Sequence, residues 1–145
     1  MPKTNAFSWR YKEPELQEQV AGYSSMKWTK TARGQCVIFF SCLIAFSLAI
    51  TAIINLPVAS FIEVLAEALV LYAPLLFFVY KGHRWAVIGL MIVWAGDKSY
   101  GLYYQLTTGG SIFTIVIFLI LGIGVCMRAL QVENMRRKPS STAAN

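Results

Sequence analysis

Charge is scarce in this chain of 145 residues: only 14% are Asp, Glu, Lys or Arg, against about a quarter in ordinary soluble domains. Histidine is scarcer still, with His83 alone. One imidazole excludes a histidine-rich zinc centre, and no nucleophile lies near it in sequence to make a hydrolase triad. The three cysteines, Cys36, Cys42 and Cys126, all fall in apolar sequence, which argues against a disulfide framework, and the spacing of Cys36 and Cys42 sends them to different faces of one helix. A phosphate-cradling loop is missing too, because Gly122-Ile123-Gly124 lies inside an apolar run instead of after a strand. No cofactor, no metal site and no enzymatic chemistry is therefore expected.

Apolar residues, by contrast, make up 57% of the chain, too many for an ordinary soluble two-domain protein. The formal charge of +6 would suggest nucleic acid as the partner of a soluble domain, but the position of the charges points elsewhere. Between Gln35 and Leu130 only Glu63, Glu67, Lys81, Arg84, Asp97, Lys98 and Arg128 are charged. A hydrocarbon core is crossed by about 20 residues of helix, and its backbone groups must be satisfied within the segment. The expected fold is therefore all-α: a polytopic membrane protein with four transmembrane helices over about 35–54, 58–80, 85–105 and 111–130. Residues 1–34 form a cytoplasmic or interfacial arm, 35–130 the transmembrane domain and 131–145 a polar cytoplasmic tail.

Stop signals separate the runs. Asn55-Leu56-Pro57 makes a very short first turn, Gly82 ends the second run, and Gly109-Gly110 precede the fourth. Basic residues accumulate on the side that is not translocated. Lys3, Arg10, Lys12, Lys27, Lys30 and Arg33 precede the first run, Lys81 and Arg84 fall in the second connection, and Arg128, Arg136, Arg137 and Lys138 close the fourth. Only Lys98 sits toward the other side, so the N- and C-termini are both expected inside, in an inner or plasma membrane. No secretory signal is evident, because the first long apolar run starts near Gln35 and has full spanning length. Pro14 starts a short helix of Glu15 to Tyr23, and Trp28 among Lys27, Lys30 and Arg33 suits a headgroup zone of anionic lipid. That stretch reads as a membrane anchor and not as a nucleic-acid patch.

Charges inside spans cost about 2.5–3.5 kcal/mol each on insertion scales and tend to face protein or water. Glu63 and Glu67, four apart, share a helix face. At a rise of about 1.5 Å per residue they lie about 8 and 14 Å below the outer boundary, and Asp97 on the antiparallel third run lies about 12 Å below it. Glu63, Glu67, Asp97 and Lys98 are therefore expected to form one polar layer of three acids and one base, which a proton, a cation or water must compensate. Lys98 is the natural partner of Glu63 or Glu67, or it snorkels outward. Supporting positions are Ser47, Thr51 and Asn55, which recur every four residues on the first helix, with Ser60, Tyr100 and Tyr104 at similar or shallower depth. Trp94, one turn before Asp97, is placed to shield the acid from lipid. Pro74, one to two turns beyond Glu67, is expected to kink the second helix. Small residues at Ser41, Ala45 and Ala49, and at Gly122 and Cys126, suit close helix approach. Tyr100, Tyr103 and Tyr104 suit the outer aromatic belt, and Trp85 and Tyr80 the inner one.

Two functions fit this pattern. One is a transport-related component, either a small cation- or proton-coupled carrier or the small subunit of a larger transporter. The other is a non-transporting accessory or assembly subunit whose charges bind partner helices. Four helices leave a thin core, so the expected partners are the lipid bilayer and either further copies of the chain or another membrane protein.

Overall fold

The computed structural model describes residues 11–53 and 58–137. All regular structure among them is helical. Helix α1 (Glu13–Ala21) starts with Pro14 in its first turn, where a missing N–H is harmless. A 3-10 turn (Trp28–Lys30) then leads into α2 (Ala32–Ile53). Thr31 closes the start of α2: its Oγ1 accepts from the Gly34 N–H at 3.0 Å and donates to the Trp28 carbonyl at 2.6 Å. The Trp28 carbonyl approaches Gly34 so closely that any Cβ there would collide with it.

Helix α3 (Val58–Glu67) passes without a break through a π-helical turn (Ala68–Tyr72) into α4 (Ala73–Lys81). Pro74 explains the wide turn. Proline donates no hydrogen bond and crowds the carbonyl four residues earlier, and a turn that closes on the fifth residue, with the Ala73 N–H reaching the Ala68 carbonyl, relieves both constraints. Pro74, where a kink is expected, is thus preceded by a register shift in the helix. Gly82 ends α4 at φ +88°, and the His83 N–H caps the Phe78 carbonyl at 3.0 Å. Helix α5 (Arg84–Thr108) ends in the same way at Gly109, φ +81°, before α6 (Ile112–Arg137).

Connections this short make consecutive helices antiparallel neighbours. The α3–α4 rod packs on α2 and α5, and α6 packs on α5 and α2, so four rods close a ring. Phe40, Val79, Leu90 and Cys126 are fully buried along its axis. Large apolar side chains, by contrast, line the outside, among them Phe46, Ile53, Val70, Ile92 and Phe113. The Ser41, Ala45 and Ala49 stripe also lies on the outside, whereas Gly122 and Cys126 are buried between helices.

Among the described residues three helices are long and apolar enough to cross a membrane: Ala32–Ile53, Ser60–Lys81 and Ile112–Arg136. Helix α5 has 25 residues, but Asp97, Lys98 and its Tyr-, Gln- and Thr-rich end dilute its apolar character. Helix α6 also runs past the expected end of the fourth run, because Gln131 to Arg137 contain no helix breaker, and Gln131, Val132 and Glu133 meet the N-terminal arm. The turn expected at Asn55-Leu56-Pro57 lies outside the described residues.

Candidate functional site

A cavity of about 400 Å³ opens between α2, the α3–α4 rod, α5 and α6. Ser47 and Thr51, one turn apart, line it from α2, with the Thr51 hydroxyl tied back to the Ser47 carbonyl at 2.9 Å. Glu67 contributes from the last position of α3, and Ala68 and Tyr72 from the π turn. Trp94, Asp97 and Lys98 face it from α5 at i, i+3 and i+4, and Phe118 from α6.

Trp94 organises the α5 wall. Its Nε1 donates to the Phe118 carbonyl at 3.2 Å, and its ring meets Phe40 edge to face at 5.1 Å. Gly122 is what admits it, since a Cβ at that position would overlap the indole. Lys98 Nζ lies 4.3 Å over the Trp94 ring and 2.6 Å from Asp97 Oδ2. Its partner is therefore Asp97, not Glu63 or Glu67, and the adjacent pair is neutral overall. Glu67 makes no hydrogen bond or ion pair among the described residues, and with Asp97 and Lys98 it leaves the cavity lining with a formal charge of one negative.

Of the four expected charges, three meet here. Glu63 is exposed and outside the cavity lining. The cavity face of α3 is set by Val64, Glu67 and Ala68, and at about 100° per residue Glu63 falls roughly a quarter-turn away from its midline. Ser60 is half-buried and Tyr100 and Tyr104 are exposed, all three away from the cavity. Asn55 lies outside the described residues. Tyr72 is the addition that helical periodicity hides: only 5% exposed, it has a buried hydroxyl without a hydrogen-bond partner. In a regular helix it would turn away from Glu67, and the π turn brings it back to the same wall. The signal for it was Pro74.

A second polar centre sits at the base of the bundle. Glu133 on α6, 3% exposed, pairs with Arg136 at 3.1 Å and Arg33 at 3.7 Å and accepts from the Tyr23 hydroxyl at 3.4 Å. The Gln131 side chain accepts from the Tyr11 N–H at 3.0 Å and donates to the Tyr11 carbonyl at 3.4 Å. Leu16 packs with Ala32 and Val132 beneath these contacts. Burial pushes the Tyr11 phenol above its ordinary pKa; the Arg128 charge opposes this and the Glu15 charge adds to it. Together these contacts latch the arm to the helix ends.

Among the described residues no group of three or more His, Cys, Asp or Glu is arranged to hold a metal ion. Cys36 and Cys126 meet across α2 and α6 with sulfurs 3.9 Å apart, as free thiols. No family model, curated protein or solved structure matches this chain.

Proposed function

We propose that the chain is a four-span bundle of an inner or plasma membrane, with both termini inside, that works as a transport-related component: a small cation- or proton-coupled carrier, or the small subunit of a larger transporter. The observation that carries this reading is the cavity among helices of spanning length with the unpaired Glu67 carboxylate on its wall. Carboxylates in such positions are costly and mark ion or proton pathways.

Pairing of Asp97 with Lys98 at 2.6 Å supports α5 as the third of the four spans. The charges that lower its hydropathy neutralise one another and face the cavity, and a helix of 25 residues extends about 37 Å, longer than the hydrocarbon core. The sides of the termini follow from the basic residues, which gather in the arm, at Lys81 and Arg84, and at the end of α6.

In proteoliposomes the purified protein should carry a proton, Na⁺ or K⁺ flux that Glu67→Gln abolishes. A silent wild-type protein would remove the carrier reading. Exposed Glu63 among exposed Ile62, Leu69 and Val70 favours the accessory reading in a second role, because a carboxylate on an apolar outer face gains most from a partner helix. If Glu63→Gln abolishes co-purification of a membrane partner while the isolated protein carries no flux, the accessory function stands alone.

A further inference from the structure

The cavity is far larger than a proton or a dehydrated metal ion requires. At about 400 Å³ it falls in the range of sites that take small organic ligands, and it would hold on the order of ten waters. Its walls also disfavour a bare divalent ion, which takes six or more oxygen ligands, because one of the two carboxylates is already paired with Lys98 and most of the remaining lining is apolar. An anion would meet the unpaired Glu67. Apolar and aromatic surface makes up most of the remainder, with Phe40, Phe46 and Phe118 on the walls.

We infer that this cavity binds a lipophilic organic ammonium ion, its cationic nitrogen on Glu67 and its apolar body against Ile44, Phe46 and Phe118. Two independent features support it. Glu67 makes no hydrogen bond or ion pair among the described residues, and the three lining charges sum to one negative. The rest of the lining is mostly apolar, with Leu43, Ile44, Ile50 and Phe118 among it, so an apolar surface stands beside that charge. Ring faces add cation–π attraction, as Trp94 already does for Lys98 at 4.3 Å. Because the inference names the substrate class of the proposed carrier site, it rests on that reading, yet binding and transport are separable by experiment.

The test is calorimetric titration of the full chain in mild detergent at neutral pH with 2-phenylethylammonium, and with 3-phenylpropionate as a probe of similar shape and opposite charge. Saturable binding of the ammonium and none of the carboxylate are expected. Glu67→Gln should weaken binding about tenfold or more. Ser47→Phe, which fills the cavity from an exposed α2 position and keeps every charge, should weaken it as well. Circular dichroism and gel filtration establish that each variant is folded. Absence of ammonium binding, equal binding of the carboxylate, or affinity unchanged in Glu67→Gln overturns the inference. A Glu67-dependent proton or alkali-cation flux without ammonium binding overturns it while leaving the carrier reading intact. Ammonium binding lost in both variants, with no flux of any kind, supports the site and removes the carrier.

Discussion

Gly122→Ala should destabilise the bundle even though alanine is the better helix former. A Cβ at position 122 would lie 2.7 Å from both Cδ1 and Cε2 of Trp94 and nearer still to Nε1, where carbon atoms rest at about 3.5–4.0 Å. Relief requires the indole or α6 to move by about 1 Å. Trp94 is held by the Phe118 carbonyl at 3.2 Å and by the Phe40 ring at 5.1 Å, so movement loosens both contacts. Overpacking costs about 1–3 kcal/mol, the hydrogen bond about 0.6 in a membrane protein and the ring pair about 0.5–1.5. Alanine returns about 1 kcal/mol of helix propensity, which leaves a net loss of about 1–4 kcal/mol. Gly124→Ala is the internal control, because a Cβ there meets nothing within 4 Å; it should be neutral or slightly stabilising. Unfolding by SDS in mixed micelles, followed by circular dichroism, measures both. Trp94→Leu should cost less in the Gly122→Ala background than in the wild type, a coupling that only direct contact produces. Equal stability of the two glycine variants would refute the packing argument.

Other consequences are equally direct. Reporter fusions after Leu56 and after Gly109 should be external, and those after Gly82 and at the C-terminus cytoplasmic; two cytoplasmic readings at Leu56 and Gly109 would defeat the four-span topology. Glu133→Gln removes the carboxylate that holds Arg33, Arg136 and Tyr23, so limited proteolysis should cut the α1 arm several-fold faster, at a cost of about 1–3 kcal/mol; an unchanged rate would mean the latch does not hold it. Burial raises the Tyr11 phenol above the ordinary value of 10.0, so the docked arm binds the phenolic proton more tightly than the free arm. Docking should therefore weaken as pH rises through and above that ordinary value, and absorbance titration at 295 nm should show a late-ionising phenol that disappears in Tyr11→Phe.

Helix ends are readable from sequence because their causes are local. Pro14, Gly82 and Gly109 act through their own φ or missing N–H, and each sits where a helix begins or stops. Ser47, Thr51, Glu67, Asp97 and Lys98 are readable as cavity residues because depth along a helix follows from a constant rise. Rotation about the axis does not follow in the same way, since neighbouring rods decide which side of α3 faces inward. That is why Glu63 falls outside although it lies one turn from Glu67. Tyr72 stays hidden for a related reason, because the π turn changes the register after Glu67 and periodicity counted in α-helical steps then fails. Glu133 is held by Arg33 and Tyr23 from about a hundred residues earlier in the chain, and only tertiary structure brings them together.

In the proposed carrier Glu67 is the working charge. Flux into proteoliposomes, measured with a trapped pH or cation indicator for the wild type, Glu67→Gln and Glu63→Gln, tests it most directly. Flux in the wild type and in Glu63→Gln, and none in Glu67→Gln, is the predicted result. A wild type without flux, or a Glu67→Gln protein that matches it, would contradict the account.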